Sequence, residues 1–340
     1  MGVPAALPAV PGRRAPSRAP EAPRYRAPRW LPGGHAQTIY ASRLRAPLPP
    51  LRRERVETHD GDFWDFDWLD APDAHAPLCV LFHGLEGSAR SHYARALLRA
   101  LARRGYAGVV PHFRGCGGEL NRLPRAYHSG DHEEVDALLA AVRARIVPER
   151  PLFAVGVSLG GSALLNWLGR AEGGAAAMLR AAAAVSAPLD LSAAGMAIGQ
   201  GFNRVYTRHF LATLKPKSLM MAALHPGRLD ASRIRRARTL WHFDDVVTAP
   251  LHGFAGADDY WTRASAKPWL RRIAVPTLVL NARNDPFIPA GSLPQPGDVS
   301  PAVLLEQPAE GGHAGFPVGA FPGHLGWLPQ RLLHFLDFGR

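Results

Sequence analysis

The sequence predicts an α/β fold: a mostly parallel central sheet with helices on both faces and a helical insertion set into it. Three observations carry that prediction. Short, continuous apolar runs recur, each with the length and character of a strand covered on both faces. Amphipathic stretches of helical period alternate with these runs. A glycine-rich turn at residues 156–160 joins one such strand directly to one such helix.

The chain has 340 residues, 47% hydrophobic and 20% charged, which suits a soluble protein with one large core. Residues 1–28 are mostly Pro, Ala and Arg. That mixture buries too little to order itself, so a disordered basic tail is expected ahead of a folded domain over 29–340. Residues 53–58 and 63–69 form a hairpin around His59-Asp60-Gly61-Asp62, with Trp64, Phe66 and Trp68 making one apolar face. The alternating pattern begins at 78–82, a buried strand. Strands at 107–111, 152–157 and 181–186 follow, with helices at 93–104, 133–145 and 161–170 between them. From about 188 to 273 the pattern lapses into helical pieces (193–214 and 229–238) and aromatic loops, as a lid over an active site would. Strands at 276–281 and 302–306 and a helix at 326–338 close the chain.

The net charge is +12. Residues 1–55 hold eleven arginines against Glu21 and Glu54, so the remainder is nearly balanced. Such a tail can adhere to phosphate or acidic lipid. The expectation is a solvated tail with no specific nucleic-acid partner, suited to peripheral contact with an anionic membrane. No run reaches the roughly 18 apolar residues of a membrane span. Pro4, Pro8 and Pro11 interrupt any secretory leader, and Ala6 does not fit a myristoylation signal, so a cytoplasmic location is expected. Cys79 and Cys116 are too few for a disulfide framework and lack metal-ligand spacing.

The chemistry is concentrated in Gly156-Val157-Ser158-Leu159-Gly160. A serine on a sharp strand-to-helix turn is lifted above the sheet edge, at a helix N-terminus whose dipole favours negative charge. Its hydroxyl needs a base, and the base needs a carboxylate to orient it. In the α/β-hydrolase fold these follow in the order Ser, acid, His. Asp285 lies just past the strand at 276–281, and His313 just past the strand at 302–306, both at carboxyl ends of strands. The tetrahedral intermediate also needs N–H donors. Leu159, after the serine, supplies one; Leu85, in His83-Gly84-Leu85-Glu86-Gly87-Ser88, supplies the other. Cys116 lacks an elbow, and His128, Asp131 and His132 match no metal motif, so Asp131 is assigned to helix capping. No cofactor is required.

These segments resemble the YheT-like family of α/β-hydrolases, bacterial relatives of ABHD-type lipases and of yeast ester-forming acyltransferases. The resemblance spans residues 29–338. It runs through Gly34-His35-Ala36-Gln37-Thr38-Ile39, the His83 loop, Phe113-Arg114-Gly115-Cys116-Gly117-Gly118-Glu119-Leu120-Asn121-Arg122 and Tyr127-His128-Ser129-Gly130-Asp131. The elbow, Phe243-Asp244-Asp245, Asn284-Asp285-Pro286-Phe287 and Gly312-His313-Ala314-Gly315-Phe316 complete it. It implies charge-relay positions for Ser158, Asp285 and His313. Ala36 and Asn284 depart from the family pattern; the His35 segment could brace the sheet or line the pocket, and structural support is the expectation.

The leading expectation is a serine hydrolase of carboxylic esters with short- or medium-chain or lipid-like acyl groups, bound in an apolar pocket made by residues around 188–270. Two rivals stay open: an acyltransferase in which an alcohol intercepts the acyl-enzyme, and a non-catalytic binding protein on the same scaffold. Oligomeric state is not legible.

Overall fold

The sheet grows outward from the buried strands. In the computed structural model, which describes residues 21–171 and 173–339, eight strands form one sheet. They are β1 (Arg52–Glu57), β2 (Phe63–Leu69), β3 (Leu78–Phe82), β4 (Ala107–Pro111), β5 (Leu152–Val157), β6 (Ala181–Val185), β7 (Thr277–Leu280) and β8 (Val303–Glu306). Their order is β1-β2-β4-β3-β5-β6-β7-β8. β2 runs antiparallel to both neighbours, and every other pairing is parallel. β3 to β6 are buried along their whole length, because side chains on both faces meet helices.

The helices are α1 (Gly34–Arg43), α2 (His92–Arg104), α3 (His132–Arg143), α4 (Leu159–Arg170) and the short α5 (Gly174–Met178). After β6 come α6 (Leu191–Ile198), α7 (Arg204–Leu224), α8 (Ala231–Arg236) and α9 (Leu240–Phe243). A π-helical turn at Asp244–Thr248 leads into α10 (Ala249–His252) and α11 (Ala257–Ala264), and α12 (Trp327–Phe338) closes the chain. One core cluster packs Val135, Leu138 and Leu164 of α3 and α4 against Val80, Phe82 and Ala154. The other packs Leu97, Leu101, Leu332 and Phe335 of α2 and α12 against Cys79, Leu81 and Val155. The alternating side chains of each central strand thus feed two separate cores.

Four features differ from the sequence expectations. β2 has no solvent face, since all seven of its residues are buried. Its acids are covered by arginines from β1: Arg55 Nε donates to Asp65 at 2.9 Å, and Arg53 Nη2 to Asp67 at 3.0 Å. The helix expected at 193–214 is two helices, broken at Gly199-Gln200-Gly201, and α7 continues through Pro216 to Leu224. Asp131 sits at the N-cap of α3, but its carboxylate accepts from Arg125 at 2.7 Å and bonds no helix N–H. Finally, the packed chain begins before residue 29. The Tyr25 ring meets Phe316 and Trp327, its hydroxyl donates to Pro317 O, and Trp327 Nε1 donates to Pro23 O. The expected tail over residues 1–20 lies outside the described residues.

Candidate active site

Ser158 has φ 54° and ψ −123°, a left-handed conformation that a non-glycine residue holds only where the surroundings enforce it. The flanking glycines permit this turn. A Cβ on Gly156 would stand 2.5 Å from Gly160 O, and one on Gly160 would stand 2.4 Å from His83 O. With both absent, β5 turns directly into α4, and the Ser158 N–H donates to Val185 O at 2.8 Å.

His313 joins the other two residues predicted from sequence, Ser158 and Asp285. Its Nε2 lies 2.9 Å from Ser158 Oγ, and its Nδ1 lies 2.8 Å from Asp285 Oδ2. Asp285 is buried, and its other oxygen accepts the Phe287 N–H at 2.8 Å. The Phe287 ring packs 4.2 Å from that of His313. In the tautomer with its proton on Nδ1, the imidazole points its lone pair at the serine hydroxyl.

Leu85 and Leu159 border the same cavity as Ser158 and His313. Among the described residues, neither backbone N–H donates to a protein acceptor. The Leu85 loop is held from below by His83, whose Nδ1 lies 2.8 Å from Gly84 O and whose Nε2 accepts the Phe113 N–H. Burial drives the His83 pKa down to about 3, so the ring is a neutral strut. Next to Leu85, Glu86 carries a positive φ of 56°. Tyr127 Oη accepts its N–H at 2.7 Å and donates to its carboxylate at 3.0 Å. Lys217 of α7 pairs with the same carboxylate at 2.8 Å, which ties the insertion to the loop. Glu86 and Tyr127 lie in segments quoted above but had no role assigned, and Lys217 was not singled out; their spatial convergence reveals the link.

The cavity measures about 170 Å³. Leu191, Ile198, Phe210, Leu214, Met221 and Val247 give it apolar walls from the segment between β6 and β7. Cys116 packs against the core below Tyr127, and burial raises its thiol pKa to about 12, leaving essentially no thiolate at neutral pH. His128 and Asp131 stay 4.0 Å apart, and burial holds the His128 pKa at about 3.

The His35 segment acquires a role here. Gln37 is fully buried at the start of α1, and its Oε1 accepts both the Gly311 N–H at 2.9 Å and Asn284 Nδ2 at 3.0 Å. Asn284 Oδ1 in turn accepts the Gly312 N–H at 3.0 Å. An aspartate at 284 would keep that acceptor and lose the donor toward Gln37. Thr38 Oγ1 accepts the His313 N–H at 2.9 Å. One helix end therefore clamps the Asp285 loop to the His313 loop. Thr38→Val is expected to lower kcat about tenfold or more with KM within about twofold, because His313 drifts while the cavity is untouched. Thr38→Ser should restore kcat. Steady-state kinetics on an aryl ester checks both; an equal fall with serine and valine would contradict a hydrogen-bonding role.

Residues 77–320 match the alpha/beta hydrolase fold family. The YheT protein of Escherichia coli (strain K12) is 42% identical over 287 residues, 83% of this chain and 84% of that one. The human phospholipase ABHD3 is 29% identical over 319 residues, 91% of this chain and 77% of its own. The solved structure of the Pyrococcus furiosus esterase Pf2001 superposes with a TM-score of 0.54 at 15% identity, covering 86% of this chain and 96% of that one, a likeness of fold. By the extent of the family match and of the identity to YheT, the chain belongs to the α/β-hydrolase fold family, within its YheT-like branch.

Proposed function

We propose that this chain cleaves carboxylic esters with short- or medium-chain or lipid-like acyl groups, through an acyl-enzyme on Ser158. Ester hydrolysis as a general class accords with the family. The route and the acyl preference rest on one observation, the imidazole of His313 bridging Ser158 Oγ and Asp285 at 2.9 and 2.8 Å on the rim of an apolar cavity.

The steps follow from that geometry. Ser158 Oγ attacks the acyl carbon while its proton passes to His313 Nε2. Asp285 holds the Nδ1 proton and stabilises the imidazolium. Negative charge on the former carbonyl oxygen meets the N–H groups of Leu85 and Leu159. The imidazolium returns the proton to the departing alcohol. Water then attacks the acyl-enzyme with His313 again as base, releasing the acid and free Ser158. The acyl chain lies among Leu191, Ile198, Leu214 and Met221. That placement agrees in kind with ABHD3, a relative named as a phospholipase.

Turnover of p-nitrophenyl esters of graded acyl length tests the proposal. Each methylene buried is worth about 0.8 kcal/mol, so kcat/KM should rise by up to about fourfold per added carbon, then fall once the chain outgrows the cavity. Failure to turn over any ester above buffer would refute it.

A further inference from the structure

Helix α7 presents an apolar face to solvent. Its buried residues, Thr207, Leu211, Leu214 and Ser218, define its inward side. At 100° per residue the opposite line runs through Val205, His209, Ala212, Pro216, Met220 and Ala223, all exposed. Val205 and Met220 are more than half exposed, as are Phe202 and Leu224 at the two ends of the helix. The helix contains no acidic residue in its 21 positions. An ordinary surface helix covers its outer side with both signs of charge, and this one does not.

The segment that contains this helix is basic. Between Asp190 and Asp244 the chain carries nine lysines and arginines and one acid, Asp230. The near-balance of charge beyond residue 55 is thus a cancellation between this positive segment and a negative remainder. By the same projection Arg204 and Arg208 are exposed on one side of the apolar line, between it and the buried residues. α8, with Arg233, Arg235 and Arg236, is tied to α7 by Lys215, whose ammonium donates to Arg235 O at 2.6 Å and Ala237 O at 3.0 Å. Arg204, Arg208, Arg228, Arg235 and Arg238 are exposed and have no acidic partner among the described residues.

We propose that the outer face of α7, with the arginines around it, docks on an anionic lipid surface. Apolar side chains on such a helix enter the boundary between headgroups and acyl chains, while bordering arginines meet lipid phosphate. A second copy of this chain fits the face poorly, since pairing would press two positive surfaces together. An acidic protein would answer the charge but leave the apolar line without a counterpart of its own kind. No helix among the described residues is long and apolar enough to cross a membrane, so the contact is peripheral. Docking does not depend on Ser158. If the ester-cleaving role also holds, docking brings the cavity within one helix diameter, about 10 Å, of the lipid, because Phe210, Leu214 and Met221 on the inner side of α7 line it.

Flotation of the full chain with vesicles of phosphatidylcholine, alone or with about one-third phosphatidylglycerol, tests this. The chain should float with the anionic vesicles, bind the neutral ones far more weakly, and detach severalfold as salt rises from about 0.1 to 0.5 M. The pairs Val205→Glu with Met220→Glu and Arg204→Glu with Arg208→Glu should each weaken binding about tenfold or more. Circular dichroism and turnover of a soluble short-chain ester should stay unchanged in both. Removal of residues 1–20 should leave most of the binding in place. The proposal is overturned if neither pair alters binding, if removing residues 1–20 abolishes it, or if no vesicle is bound. In the last case, a dimer dissolved by the Val205 and Met220 pair would identify a second copy, and binding to an acidic protein instead would identify that class. Vesicle binding without ester turnover would support docking and defeat the proposed function; turnover without binding would do the reverse.

Discussion

Ser158→Ala is expected to lower kcat on an aryl ester by at least about 10³-fold, with the far-UV spectrum and unfolding midpoint close to those of the parent. The magnitude follows from the arrangement: without Oγ, His313 Nε2 has no proton to take, and only binding and the N–H groups of Leu85 and Leu159 are left to assist water. Asp285→Asn should cost a comparable factor by a different route. An amide at 285 favours the wrong imidazole tautomer, with the lone pair of Nδ1 turned to the amide and the proton directed at Ser158. Cys116→Ala should leave turnover within about twofold, since its thiol pKa, raised to about 12, leaves essentially no thiolate at neutral pH. The two losses are non-additive, so the double variant should be no slower than Ser158→Ala. Retention of activity within tenfold in Ser158→Ala would remove the serine from the chemistry.

Arg114→Met is expected to destabilise the fold by about 3–5 kcal/mol, read as a fall in the urea midpoint with an unchanged slope. The guanidinium is buried and engages three carboxylates: Asp60 at 2.9 Å, Asp62 at 2.8 Å and Glu134 at 3.0 Å. Asp62 and Glu134 are themselves buried. Asn121 Nδ2 also donates to Asp62 at 2.9 Å, and Trp64 Nε1 to Glu134 at 2.6 Å. One side chain therefore joins the β1–β2 turn, the loop after β4 and helix α3. Removing it leaves Asp62 with no cationic partner among the described residues, while Glu134 keeps only Arg125 at 3.4 Å. Arg122→Met, which breaks a pair exposed on both sides with Glu57, should barely move the midpoint. A small loss for Arg114→Met would mean that the carboxylates take up protons without cost.

The parts of this molecule that were legible in sequence are those whose signal is local. Strands such as β5, flanked by helices on both faces, read as unbroken apolar runs because each side chain meets a core. The elbow was legible because Gly156 and Gly160 are sterically required within four residues of each other. Gln37 and Thr38 were not, since the groups they hold lie 247 to 275 positions along the chain. That β2 is buried on both faces was not legible, because the arginines that cover its acids project from a neighbouring strand. The helix expected to stop at Leu214 runs on through Pro216 to Leu224, with Leu214 and Ser218 both buried. The tail boundary was set by composition, which cannot register that Tyr25 finds Phe316 and Trp327.

Acid-quenched intact mass in the first turnover of a p-nitrophenyl ester addresses the chemistry most directly. One acyl group per chain is expected, mapped to the peptide bearing Ser158, with a p-nitrophenol burst of one equivalent wherever deacylation is the slower step. An acyl group on another side chain, or a burst with no covalent adduct, would contradict it.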